Sequence, residues 1–170
     1  MLNFGFNFAG KGADVLCPRP SGELLYNWTF DCGMDGWGYA SIYPATITDN
    51  GDGSLHLKTD SDWGSLVPDD GTYPGNSYII EVSIRNQVGN GKISFRRPNG
   101  TWVSTPTVGD GIHQSNVFTG EISEIHVGAD NDPSYEADYE YISLKVHVTE
   151  SVVHQGDPVT YNGEEVVYNG

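Results

Sequence analysis

Hydrophobic and polar residues alternate with a period of two along most of this chain. Leu24, Tyr26, Trp28 and Phe30 share one parity. Leu55 and Leu57 alternate with Ser54, His56 and Lys58. Tyr78, Ile80, Val82 and Ile84 alternate with Ile79, Glu81, Ser83 and Arg85. Ile93 and Phe95 follow, then the stretch Thr101 to Thr105, and later Ile142, Leu144, Val146 and Val148. A two-residue period places alternate side chains on opposite faces of a strand, so each run predicts a half-buried strand. Turn residues separate the runs: Asp49-Asn50-Gly51-Asp52-Gly53, Gly89-Asn90-Gly91 and Pro98-Asn99-Gly100. Short strands punctuated about every ten residues predict an all-β sandwich. No stretch carries the 3.6-residue period of an amphipathic helix.

The ends differ from the middle. Residues 1–22 read as an extended N-terminal arm. Leu2, Phe4, Phe6 and Phe8 share one face of a strand, and Gly10, Gly12, Pro18 and Pro20 make the connector. A strand exposing three Phe either packs on its own domain or docks on another chain as an assembly anchor. Residues 23–149 form the sandwich. Residues 150–170 form a C-terminal tail with a repeated Tyr-Asn-Gly, at Tyr161-Asn162-Gly163 and Tyr168-Asn169-Gly170. Asn162-Gly163 is a strong two-residue hairpin turn, so the tail predicts a β-hairpin that needs a surface to order.

Composition narrows the function classes. Eight Lys plus Arg face 23 Asp plus Glu, a net charge of −15. Phosphate backbones and anionic membrane surfaces call for clustered positive charge, so neither nucleic acid nor membrane is an expected partner. Cations and neutral sugars remain compatible. No run of 18 apolar residues exists to insert in a membrane. The start, Met1 to Phe8, lacks the basic and apolar regions of a secretory leader, which predicts a chain not exported by that route. On that reading Cys17 and Cys32 are expected as reduced thiols.

The middle zone resembles carbohydrate-binding modules of families 4, 9 and 22, which share a galactose-binding-like jelly roll. The resemblance rests on Asn27-Trp28-Thr29-Phe30-Asp31-Cys32-Gly33 followed by Gly36-Trp37, on Gly75-Asn76-Ser77-Tyr78, and on Asp138-Tyr139-Glu140-Tyr141-Ile142-Ser143-Leu144. It implies a jelly-roll β-sandwich over about residues 24–148. It also implies a structural Ca2+ between the first and closing strands, with Asp31 and Asp138 or Glu140 as ligands. The plain alternative is an acidic strand end facing solvent. The Gly- and Phe-rich start and the Tyr-Asn-Gly repeats look like the flanks of tailed-bacteriophage virion proteins. That second resemblance implies a virion accessory protein, a decoration or fibre, assembled in the host cytoplasm. Its partners would be other virion proteins, met through arm and tail, and its adhesion target a host-surface glycan. The alternative is a soluble lectin-like module outside any virion.

Sugar binding needs flat aromatic surface for a pyranose face and polar groups for its hydroxyls. Trp63 sits in polar Asp60-Ser61-Asp62-Trp63-Gly64-Ser65, and Trp102 lies between a turn and a strand. Tyr43 and Tyr73 lie in loop-like, Pro-containing stretches. These four are the expected platforms, each set against half-buried packing as the alternative. Trp28 and Trp37 belong to the opening motif and are expected in the core. Catalysis is not expected. The five His form no metal motif, and there is no Gly-x-Ser-x-Gly elbow.

Overall fold

The computed structural model describes residues 21–40, 43–69, 71–148, 160–161 and 164–165. The N-terminal arm with Leu2, Phe4, Phe6 and Phe8 lies outside these residues. Among the described residues there is no helix. The strands are β1 (Trp37–Tyr39), β2 (Ala45–Asp49), β3 (Leu55–Thr59), β4 (Ser65–Pro68), β5 (Tyr73–Val88), β6 (Gly91–Arg96), β7 (Trp102–Thr107), β8 (Gly111–Gln114), β9 (Phe118–Ile122), β10 (Glu124–Ala129), β11 (Glu136–Val146), β12 (Thr160–Tyr161) and β13 (Glu164–Glu165).

Two antiparallel sheets make the jelly-roll sandwich. One has five strands in the order β1-β4-β10-β6-β7. The other runs β2-β3-β11-β5-β8, with β9 also pairing β5. The alternation seen in the sequence decides which side chains meet between them. Ile93, Phe95, Ile125 and Val127 point inward from the first sheet, and Leu57, Ile80, Val82, Ile142 and Leu144 from the second, all buried. Fully burying one such side chain is worth roughly 1.5–3 kcal/mol. The intervening residues on each strand are left for the outer faces.

The opening segment departs from its pattern. Leu24, Tyr26, Trp28 and Phe30 alternate like a strand, yet Tyr26 to Thr29 fold as turns. Asn27 and Phe30 adopt left-handed backbone angles, φ 49° and 56°. Asn27 explains the cost. Its buried amide donates to the carbonyls of Gly33 (2.8 Å) and Asp35 (2.9 Å), and its side-chain oxygen accepts from the Cys32 amide. The Trp37 indole donates to the Asn27 carbonyl at 3.1 Å, and Phe30 meets the Trp37 ring edge-on at 5.3 Å. The Asn-x-x-Phe…Gly-Trp motif is therefore a folding device: one amide organises a turn, and two aromatics anchor it in the core.

Glu23 fastens this opening to the closing strand. Its buried carboxylate accepts from the backbone amides of Leu24, Leu25 and Leu144 and from the Ser143 hydroxyl. Cys32, expected as a thiol, is disulfide-bonded. The one other cysteine, Cys17, lies outside the described residues. The thiol expectation rested on an argument about compartment, which does not decide whether a fold brings two sulfurs together. In the tail, β12 and β13 pair antiparallel, Thr160 with Glu165 and Tyr161 with Glu164; Asn162-Gly163, read as the turn of this hairpin, lies outside the described residues.

Candidate carbohydrate-binding groove

A groove of about 730 Å³ crosses the outer face of the five-stranded sheet. Its floor is the outward parity of four strands: Ser65 and Val67 on β4, Glu124, His126 and Gly128 on β10, Lys92, Ser94 and Arg96 on β6, and Trp102 and Ser104 on β7. Ala40 and Tyr43, between β1 and β2, Trp63, between β3 and β4, and Ala129 at the end of β10 complete the lining. Strand register sets the floor in rows. Trp102, Arg96 and Glu124 lie in one, Ser104, Ser94 and His126 in the next, and Lys92, Gly128 and Ser65 in the third. Lys92 and Arg96 are four residues apart on β6, roughly 13 Å. Trp63 stands at the Lys92 end and Trp102 at the Arg96 end.

The polar side chains are tied to one another. The Lys92 ammonium lies 3.7 Å from the centre of the Trp63 ring and 3.3 Å from Asp130. Arg96 is 5.8 Å from the centre of the Trp102 ring and pairs with Glu124. His126 Nδ1 is 3.0 Å from the Ser65 hydroxyl, and its Nε2 is 3.3 Å from Glu124. The imidazole also meets the Trp102 ring edge-on at 4.7 Å. Ser94 and Ser104 share a hydrogen bond of 2.8 Å. Burial holds the His126 pKa below its ordinary value, against the pull of Glu124. Burial likewise lowers that of Lys92, against Asp130. Lys92 and Arg96 thus each have an acid beside them, and the groove floor is close to charge-balanced in a chain of net charge −15.

Small residues make the room. Gly128 sits where β4 approaches closely: a Cβ there would lie 2.6 Å from the Ser65 Cα. The serines in the middle row leave the space between the tryptophans unfilled. Flat indoles at the ends with hydroxyls and amphoteric groups between them form a surface suited to a polyhydroxylated, partly apolar chain.

Three of the four expected platforms, Trp63, Trp102 and Tyr43, line this one groove. Tyr73 does not. It is buried in the core, with its ring edge-on to Tyr78 at 6.4 Å, because β5 begins at Tyr73 and carries it inward. The parity of β6 and β10 could have found the rest: Lys92, Ser94 and Arg96 alternate with Ile93 and Phe95, and Glu124 and His126 with Ile125 and Val127.

The expected calcium ligands are engaged elsewhere. Asp138 accepts hydrogen bonds from Asn50 and Asn86 and pairs with His56 at 2.8 Å. Glu140 accepts from Ser83 at 2.7 Å and lies 3.7 Å from Arg85. Asp31 accepts from Thr29 at 2.6 Å. Among the described residues, no group of three or more His, Cys, Asp or Glu is placed to hold a metal. The carboxylates of Asp138 and Glu140 thus face amides, a hydroxyl and cations of the protein, and that of Asp31 faces one hydroxyl.

No protein-family model matches the chain, and no curated protein sequence matches it. Solved structures do share its fold. The second N-terminal cellulose-binding domain of a β-1,4-glucanase C from Cellulomonas fimi superposes with a TM-score of 0.54 at 16% identity, over 75% of this chain and 95% of that one. The N-terminal CBM22-1–GH10 modules of endo-1,4-β-D-xylanase 10B from Clostridium thermocellum, in complex with xylohexaose, superpose with a TM-score of 0.53 at 12% identity. That match covers 76% of this chain and 29% of the larger enzyme chain. These likenesses show that the sandwich is the jelly roll found in carbohydrate-binding modules.

Proposed function

We propose that the protein is a non-catalytic carbohydrate-binding domain that takes a polysaccharide chain along the groove of its five-stranded sheet. The observation that carries this reading is the pairing of Trp63 and Trp102 at opposite ends of one groove, with hydroxyls and balanced charges between them. Each indole offers stacking area for an apolar sugar face, and Ser94, Ser104, His126 and Glu124 offer partners for hydroxyls. Titration calorimetry with xylohexaose and cellohexaose, backed by a soluble-polysaccharide gel-shift panel, tests it. Binding by the parent and its loss in the Trp63→Ala/Trp102→Ala double variant, with melting unchanged, supports the reading. A folded parent that binds nothing in the panel rejects it.

The sequence of the flanks supports placing this domain on a bacteriophage particle as a decoration or fibre component, where it would adhere to host glycans. The arm would anchor by strand addition and burial of Leu2, Phe4, Phe6 and Phe8. Deleting residues 1–20 tests this part independently: retention on particles at full occupancy would end the anchor reading.

A further inference from the structure

We infer that Lys92 gates the groove, so that its two tryptophans are unequal: Trp102 is an open platform and Trp63 a closed one. The inference rests on the carbohydrate reading and adds a selectivity residue to it. The Lys92 ammonium lies 3.7 Å from the Trp63 ring centre. A pyranose stacking on that face needs the same space, so sugar and ammonium exclude one another there. Lys92 is held in place rather than passing over the ring: its side chain is 17% exposed and its ammonium is 3.3 Å from Asp130. At the other end Trp102 is 43% exposed. The nearest cation there, Arg96, stays 5.8 Å from the ring centre and is held by Glu124.

A sugar chain therefore stacks first on Trp102. It reaches Trp63 only when enough further units are bound to displace Lys92 from the ring. Short oligosaccharides occupy the Trp102 end alone. Long ones engage both ends and work against the Lys92–Trp63 contact, so the gate discriminates by chain length.

The test compares the parent with Lys92→Ala, Lys92→Arg and Asp130→Asn, using xylohexaose, cellohexaose and the matching disaccharides in calorimetry. Removing the cation is expected to raise hexasaccharide affinity about two- to fivefold, the size of one exposed cation–π contact. Disaccharide affinity should stay unchanged. Lys92→Arg should stay near the parent, and Asp130→Asn should show a smaller gain. NMR supplies a readout of the gate itself. The Lys92 ε-methylene protons should be shifted upfield by the Trp63 ring in the free protein and lose that shift at saturation with xylohexaose. Weaker or equal hexasaccharide binding by Lys92→Ala would overturn the gate while leaving the carbohydrate reading intact, as would a persistent ring shift in the saturated parent. Absence of binding by the parent and every variant would overturn both.

Discussion

On the outer face of the five-stranded sheet, the outward positions are serines, a glycine and polar groups between two tryptophans. On the outer face of the six-stranded sheet they are long charged side chains bonded to one another. There Arg85 meets Asp52 at 2.6 Å, His56 meets Glu136 and Asp138, and Lys58 meets Glu136. Glu81 accepts from Tyr141 and Gln114. Both faces obey the same period-two rule, and both pair charged groups with one another. They differ in volume and in flat apolar area. Side chains that reach across the strands and pair leave a filled surface. Serines leave a trough, Gly128 lets β4 close against β10 beneath it, and the indoles at its ends leave area that water covers poorly. A binding face on a sandwich is thus made by what is small in the middle and flat at the ends, not by a surplus of polar groups.

Exchanging single residues between the two roles should separate binding from stability. Trp102→Ala is expected to weaken oligosaccharide binding roughly thirtyfold, the scale of an interface hot spot of about 2 kcal/mol, with melting little changed because the ring, 43% exposed, stands outside the core cluster. Asp138→Ala is expected to do the reverse. It removes one acceptor from each of Asn50, Asn86 and His56, which costs about 2 kcal/mol and several degrees in Tm, while affinity stays the same. Calorimetry on both variants reads both quantities, and a Trp102→Ala protein that melts early would erase the contrast.

A subtler difference is acid sensitivity in the groove. The His126 pKa lies below the ordinary His value, so the unfolded chain binds its proton first as pH falls. The stability contributed by neutral His126 is complete above about pH 6.5 and is lost as pH drops toward the lowered folded value. Urea midpoints measured between about pH 7.5 and 5 should fall in the parent, with a shallower slope in His126→Gln. Equal slopes would show that His126 is not the group responsible. The smallest expected effect is that of a chelator. With the Asp138 and Glu140 carboxylates engaged by protein donors, EDTA should leave the melting curve where it was; a fall would reveal a calcium ion that these contacts replace.

Much of the sandwich could be read from the chain. Parity in β3, β5, β6 and β11 marked the inward residues, except that Val148, of the same parity as Ile142 and Leu144, lies past the end of β11 and is exposed; the Asp49–Gly53 and Pro98–Gly100 turns marked hairpins. The groove was legible only in pieces. Trp63, Tyr43 and Trp102 come from three separated segments, and the sheet order β4-β10-β6-β7 sets them around one floor. No local pattern carries that order. Periodicity also says nothing of where a strand begins, and this misplaced Tyr73: β5 starts five residues before Tyr78, so a residue read as loop is core. At Trp28 and Phe30 the failure was of another kind. Alternation was present, but the hydrogen bonds of Asn27 outweighed it and bent the backbone into turns.

Asn27 has one more consequence, for production of the protein. Asn27-Trp28-Thr29 is an acceptor triplet for N-linked glycosylation. In the folded domain Asn27 is 1% exposed, and its side-chain nitrogen spends its hydrogens on the Gly33 and Asp35 carbonyls. A eukaryotic secretory host that attaches a glycan before this turn closes would remove a donor and add a bulk that the core has no room for. Glycosylation and folding are therefore rivals for the same nitrogen. Material carrying a sugar at Asn27 is expected to be retained as misfolded chain, while a bacterial host without that modification meets no such conflict.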